Sequence, residues 1–155
     1  MQVARLTDGT AVWLDPMRDV KSLALGIFVA AGSADEAQGE RGATHFLEHL
    51  LFKRTRRRSG AAIARITDRL GGDCDAYTTK ECVAFHARVP AARAAEAVDL
   101  LLDLTAAPAF TAADVDVERE ADRPVELAEF AQLARFAERT EPDEAGSRRS
   151  DVAVR

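Results

Sequence analysis

The chain has 155 residues, of which 47% are hydrophobic, and this is enough apolar material for one domain with a buried core. Its formal net charge of −5 argues against nucleic acid as the main partner, and no apolar run is long enough to predict a membrane-spanning helix. The N-terminus lacks the pattern of a secretory signal and the two cysteines are too few for a disulfide framework, so we expect a reduced, cytoplasmic compartment.

The first part of the chain predicts a hairpin, a buried strand and a loop. Residues 3–16 are interpreted as a β-hairpin, because short apolar-rich runs flank an Asp8-Gly9 turn. Residues 22–31 form a nearly continuous apolar run, which indicates a buried strand. Residues 35–41 are predicted to be a charged loop that leads into a helix at residues 42–52.

Cap and turn signals divide the rest of the chain. Residues 53–58 hold five cations in six residues and are interpreted as a solvated loop rather than as a nucleic-acid or targeting patch. Ser59 can cap a helix at residues 60–70, which Gly71-Gly72 ends. The elements predicted after it are strands at 73–79 and 82–89, a helix at 91–105 and an acidic helix that opens with a capping box at 111–114.

These elements together predict an α+β fold. Strands separated by helices, with hairpin-like pairs at residues 3–14 and 73–89, favour a mainly antiparallel sheet with helices packed on one face. In the helix at 91–105, the residues expected to face inward are Ala94, Val98, Leu101 and Leu102.

The helix at residues 42–52 carries the most informative motif of the sequence. At about 100° per residue, His45, Glu48 and His49 share one narrow stripe. The opposite stripe is apolar and consists of Phe46, Leu47, Leu50 and Leu51. Two imidazoles on adjacent turns of one helical face can chelate a single metal ion, and a glutamate beside them can hold and deprotonate a metal-bound water.

An amphipathic surface helix with polar residues on its wet side is the alternative interpretation of this pattern. Three observations favour a metal site. Two of the three histidines of the chain lie in this pentapeptide, and the flanks of the stripe are apolar, whereas a solvated face would favour Lys, Arg and Glu. The order His-x-x-Glu-His is also the inverted zincin signature.

Several segments jointly resemble the pitrilysin family of zinc peptidases, which includes insulin-degrading enzyme and the mitochondrial processing peptidases. Residues 30–36 resemble the strand end and loop before the zinc helix, and residues 44–53 resemble the core motif of the family. Residues 71–81 resemble its glycine pair followed by an Asn-Ala-x-Thr strand. The resemblance runs from Val3 to Asp122.

The resemblance implies specific roles for five residues. His45 and His49 would be Zn²⁺ ligands, and Glu48 would be the general base. Asp75 and Ala76 would line the substrate cleft, on a strand against which such enzymes lay a peptide as an added β-strand. The family usually has Asn where this chain has Asp75, so a hydrogen-bond acceptor is kept and an amide donor is lost.

A third zinc ligand is also implied, because catalytic zinc takes three protein ligands and a water. The family supplies a glutamate from its acidic helix, and the spacing puts it at Val125 or Glu126, so Glu126 is the candidate. Pro124, two residues before it, has no place in the family helix. A supporting carboxylate one to two turns earlier would be Glu118 or Glu120.

The remaining candidate side chains are interpreted as structural. We expect His86 to be a packed or half-exposed histidine on a strand, and Cys74 and Cys82 to be inert buried thiols.

From the resemblance we expect a zinc-dependent metalloendopeptidase of the pitrilysin type. It would act on peptides or small proteins and form a homo- or hetero-oligomer that completes the cleft. The alternatives are a catalytically incomplete family member that serves as a non-catalytic subunit, and a plain metal-binding module. Residues 1–137 are expected to form an incomplete, truncated N-terminal peptidase domain, and residues 138–155 a disordered tail, because they are polar and lack periodicity.

Overall fold

The chain folds around one six-stranded sheet, in a computed structural model that describes residues 1–121 and the backbone of residues 150–154. The strands are β1 (Gln2–Arg5), β2 (Ala11–Leu14), β3 (Ser22–Val29), β4 (Asp73–Thr78), β5 (Val83–Pro90) and β6 (Ser150–Val154). The helices are α1 (Ala43–Leu51), α2 (Gly60–Leu70), α3 (Ala94–Ala106) and α4 (Ala112–Ala121). The order of the strands in the sheet is β1-β2-β6-β3-β5-β4.

The sheet is mainly antiparallel, as the sequence predicts. β3 and β5 pair along their whole length, from Ser22 opposite Pro90 to Val29 opposite Val83. The pairing of β2 with β6 is parallel, and the other pairings are antiparallel. β4 pairs with β5 and lies at one edge of the sheet as the structure describes it. The predicted α+β class is therefore confirmed.

The core lies between the sheet and helices α2 and α3. In β5, the alternate residues Val83, Phe85, Ala87 and Val89 belong to it, because successive side chains of a strand point to opposite faces. Helix α2 contributes Ile63 and Leu70, and α3 contributes Ala97, Leu100, Leu101 and Leu104. Of the four residues of α3 predicted to face inward, Leu101 is buried and Ala94 and Val98 are partly buried, whereas Leu102 is 46% exposed, so the prediction is wrong at Leu102.

The predicted boundaries of α2 are confirmed. The side chain of Ser59 accepts a hydrogen bond from the backbone N–H of Ala62 at the start of the helix. Gly71 ends it with a φ of 68°, in the left-handed region that favours glycine. Gly72 then allows close contact with β5, because a Cβ at this position would lie 2.0 Å from the carbonyl oxygen of Arg88.

The basic segment 53–58 is less solvated than the sequence suggests. Arg58 is mostly buried and donates hydrogen bonds to both Asp99 and Asp103 of α3. The hydroxyl of Thr55 donates a hydrogen bond of 2.7 Å to Asp103, which is 4% exposed. Pairing with carboxylates of α3 makes the burial of Arg58 tolerable, and it holds the segment against the helix.

The C-terminal part of the chain is described only in part. Residues 150–154 lie within the segment expected to be a disordered tail, and they form β6 between β2 and β3. Backbone partners on both sides can stabilise a strand that its own composition does not reveal. The remainder of that tail lies outside the described residues, so the division at residue 137 stays a prediction.

Candidate metal centre

The start of helix α1 is set by one glycine and one carboxylate. Gly42 has a φ of 87°, which turns the chain sharply into the helix. One oxygen of Glu36 accepts a hydrogen bond from the N–H of Gly42 at 2.9 Å, and the other accepts one from the N–H of Thr44 at 3.0 Å. Glu36 therefore satisfies backbone donors that the helix leaves unpaired, and its negative charge lies near the positive end of the helix dipole.

The apolar stripe of α1 fixes the direction in which the histidines point. Phe46 and Leu50 are fully buried, and Phe110 and Val115 pack against them from the segment that contains α4. Burial of this stripe leaves the opposite stripe of α1 to carry the polar motif. The predicted amphipathic arrangement is confirmed.

The polar stripe brings together His45, Glu48 and His49. Their potential ligand atoms all lie within 4.8 Å of one another. The two imidazole rings are 4.5 Å apart between centroids, and Nδ1 of His45 lies 3.8 Å from Oε2 of Glu48. The side chain of His45 is 52% exposed, whereas that of Glu48 is only 9% exposed. Two nitrogen donors and a shielded carboxylate thus converge at a point that solvent can reach.

Glu48 is held by a residue that the sequence analysis did not single out. The hydroxyl of Thr78 donates a hydrogen bond to Oε2 of Glu48. Thr78 is the last residue of β4, so this bond connects the carboxylate of α1 to the edge strand of the sheet. The only sequence signal is its position in the segment that resembles the Asn-Ala-x-Thr strand.

Helix α4 places Glu118 next to Nδ1 of His49. Glu118 is 6% exposed; its Oε1 lies 2.8 Å from Nδ1 of His49, and its Oε2 lies 2.5 Å from Nζ of Lys53. Burial acts to raise the pKa of this carboxyl group, but the hydrogen bonds from Lys53 and His49 outweigh burial and hold the pKa below its usual value. Of the two predicted supporting carboxylates, only Glu118 makes these contacts, and Glu120 is exposed.

The predicted cleft residues lie on β4. Asp75 is exposed, and its Oδ1 accepts a hydrogen bond of 2.9 Å from the N–H of Ala76. Ala76 is buried and belongs to the core. Glu126, the predicted third ligand, lies outside the described residues. His86 is half-buried on β5, with Nε2 3.4 Å from Asp73, and is not part of the cluster.

A model of one protein family matches most of this sequence. The model described as insulinase (peptidase family M16) matches residues 15–140, which is most of the chain. The chain belongs to peptidase family M16. The predicted resemblance to insulin-degrading enzyme and its relatives is therefore confirmed at the level of the family.

Members of the M16 family with the same segment come from bacteria and plants. A protein of Streptomyces coelicolor called an uncharacterized zinc protease is 40% identical over 116 residues, which cover 75% of this chain and 25% of that protein. The probable mitochondrial-processing peptidase subunit beta of Arabidopsis thaliana is 31% identical over 119 residues, which cover 77% of this chain and 22% of that protein. The chain spans about a quarter of the length of these relatives.

Solved structures share the M16 fold at low sequence identity. A protease from Helicobacter pylori superimposes with a TM-score of 0.79 at 16% identity, covering 99% of this chain and 45% of that one. The periplasmic protease PqqL from Escherichia coli superimposes with a TM-score of 0.78 at 18% identity, covering 98% of this chain and 22% of that one. These likenesses confirm the fold. In the part of the chain that the structure describes, no helix has the length and apolar character needed to cross a membrane.

Proposed function

We propose that the chain is the zinc-binding part of a pitrilysin-type metalloendopeptidase. The observation that carries this proposal is the convergence of His45, Glu48 and His49 within 4.8 Å on one helix. Membership of the M16 family supports it, because relatives of this chain are called zinc proteases.

The donor set suits zinc. Imidazole nitrogens and carboxylate oxygens are ligands that Zn²⁺ takes in catalytic sites, usually three from the protein with one position left open. His45 and His49 would supply two of them, and we assign the third to Glu126. Both oxygens of Glu118 are already engaged, by His49 and Lys53, so Glu118 suits a supporting role better than a ligand role. When bound, zinc supplies Lewis acidity to a water molecule and to the scissile carbonyl.

Glu48 would act as the general base. It would take a proton from the attacking water and pass that proton to the amine that leaves when the peptide bond breaks. The hydroxyl of Thr78 holds this carboxylate through a hydrogen bond to Oε2 and leaves lone pairs on both oxygens to accept the proton. The shielding of Glu48 from bulk water strengthens its electrostatic interactions with the neighbouring imidazoles.

The substrate would be a peptide bound in extended form along β4. Edge strands present unpaired backbone groups that a peptide can join as an added strand. Among the described strands, β4 has β5 on one side and none on the other. Since Thr78 at the end of β4 contacts Glu48, a peptide on this edge would pass close to the general base. Asp75 and Ala76 would supply backbone contacts there.

A further polypeptide would complete the cleft. The chain spans about a quarter of the length of its relatives, and we propose that a homo- or hetero-oligomeric assembly completes the cleft. The alternative is a catalytically incomplete subunit, which Pro124, two residues before Glu126, favours because proline interrupts a helix. A plain metal-binding module is the third possibility.

Zinc content and peptide cleavage separate these possibilities. We expect the parent to bind one equivalent of zinc and His45→Ala to bind none. The parent should cleave a peptide library slowly, whereas Glu48→Gln should retain zinc and lose this cleavage. Zinc without cleavage would favour the incomplete subunit or the metal-binding module. Near-zero zinc in both proteins, after dialysis against micromolar zinc, would contradict the metal centre.

A further inference from the structure

Lys53 contacts the metal centre indirectly, through Glu118. The two oxygens of Glu118 are divided between two partners, with Oε1 at 2.8 Å from His49 and Oε2 at 2.5 Å from Lys53. Because the side chain of Glu118 is only 8% exposed, water contributes little to its hydrogen bonding. The orientation of this carboxylate therefore depends on these two partners.

The backbone of Lys53 is fixed on both sides. Its N–H donates to the carbonyl oxygen of Leu50 in the last turn of α1. Its neighbour Arg54 forms an isolated β-bridge with Ser59. The backbone of Lys53 is therefore held in place, and its ammonium group contacts one oxygen of Glu118.

The other oxygen of Glu118 determines the tautomer of His49. A carboxylate that accepts a hydrogen bond from Nδ1–H leaves the lone pair of Nε2 free for a metal ion, and such partners commonly orient the ligands of metal sites. If the carboxylate of Glu118 could rotate, His49 would lose this fixed acceptor and could expose either nitrogen.

We propose that Lys53 is a positioning residue of the metal centre: by fixing Glu118, it holds His49 in the Nδ1–H tautomer with Nε2 directed to the metal. This proposal rests on the proposed metal site. Simple electrostatics predicts the opposite effect: a cation near the site repels Zn²⁺, so its removal alone would strengthen zinc binding. The proposal predicts that removal of Lys53 weakens zinc binding.

The competing explanation is that Lys53 only docks α4 onto α1. Arg54 provides a matched control, because its Nε lies 3.4 Å from Asp114 of the same helix and it does not contact Glu118 in any described interaction. Lys53→Met and Arg54→Met each remove one cation and one ion pair to α4. Only Lys53→Met should change the tautomer of His49.

The test measures two quantities in the parent, Lys53→Met, Lys53→Arg and Arg54→Met. The first is the zinc dissociation constant from competition with a chromophoric chelator. The second is the tautomer of His49 in the metal-free protein, from nitrogen-15 NMR of the ring nitrogens. The assignment is simple because the chain has three histidines. Lys53→Ala, which also lacks a donor, replaces Lys53→Met if the latter does not fold.

We expect Lys53→Met to weaken zinc binding about tenfold, the lower end of what the loss of such indirect partners costs. Its His49 should become a mixture of tautomers. Lys53→Arg should restore both quantities, and Arg54→Met should change neither. Zinc binding that is unchanged or tighter in Lys53→Met, or an equal loss in Arg54→Met, would overturn the proposal. If the parent bound no zinc, the metal site itself would fail, and the tautomer of His49 would still decide whether Lys53 acts on it.

Discussion

The hydroxyl of Thr78 donates a hydrogen bond to Oε2 of Glu48, and this bond joins the edge strand β4 to the helix that carries both histidines. A carboxylate that is 9% exposed depends on such a donor for its orientation, since few water molecules can replace it. This bond therefore fixes the orientation of Glu48 and leaves lone pairs on both of its oxygens for the site. The first prediction follows from it.

Replacement of Thr78 by valine keeps the shape of the side chain and removes the donor. We expect kcat for peptide cleavage to fall about tenfold, because a hydrogen bond to a charged group contributes about 1.5–3 kcal/mol. Zinc content should not change, since His45 and His49 are untouched. Thr78→Ser, which keeps the hydroxyl, is the control, and an equal loss in both variants would show that packing rather than the hydrogen bond matters.

Replacement of Glu36 by alanine should destabilise the start of α1. Two backbone N–H groups lose their acceptor, and we expect the free energy of unfolding in urea to fall by about 1–2 kcal/mol, as for other helix caps. Glu40→Ala is the matched control, because Glu40 accepts a hydrogen bond from the N–H of Ala37 in the preceding loop and does not cap the helix through its side chain. A similar loss in both variants would contradict the capping role.

The two adjacent glycines after α2 should respond differently to alanine. A Cβ on Gly72 would lie 2.0 Å from a backbone oxygen of β5, so we expect Gly72→Ala to cost about 3 kcal/mol or more of unfolding free energy. A Cβ on Gly71 would make only an ordinary contact, 3.9 Å from the carbonyl oxygen of Arg69, so Gly71→Ala should cost about 1 kcal/mol for its left-handed backbone. Thermal or urea unfolding measures both, and equal effects would argue against the close contact.

The thiol of Cys74 should resist alkylation near neutral pH. Burial, together with the nearby carboxylates of Asp73 and Asp75, raises the pKa of Cys74 to about 11. Iodoacetamide labelling followed by mass spectrometry at pH 8 should therefore be much slower at Cys74 in the folded protein than in urea. Cys74→Ser identifies the labelled peptide. Equal rates in the folded and unfolded chains would contradict this prediction.

The same shift has a consequence for stability at high pH. The pKa of Cys74 is higher in the folded chain than its ordinary value of 9.0, so the folded state binds this proton more tightly. The resulting stabilisation is fully present below pH 9 and is lost as the pH rises through about 11. A Cys74→Ser variant should lose less unfolding free energy than the parent over that interval.

Local patterns predicted most of the elements. The cap at Ser59 and the turn at Gly71 bounded α2 correctly, because capping and left-handed turns depend on neighbouring residues only. The inward face of α3 was predicted wrongly at Leu102, since a helix rich in Ala, Val and Leu shows little contrast between its faces. The ion pair between Arg58 and Asp103 needs the tertiary structure, because it joins residues 45 positions apart.

In the candidate site, too, features set by nearby residues could be predicted and contacts between distant segments could not. The sequence alone determined that His45, Glu48 and His49 share one face of a helix, because helical periodicity links residues three and four positions apart. Only the tertiary structure decided that Glu118 rather than Glu120 lies behind His49, that Lys53 holds its second oxygen, and that Thr78 holds Glu48. Those contacts arise where α4 and β4 pack against α1, and packing between distant segments leaves no periodic trace in the chain.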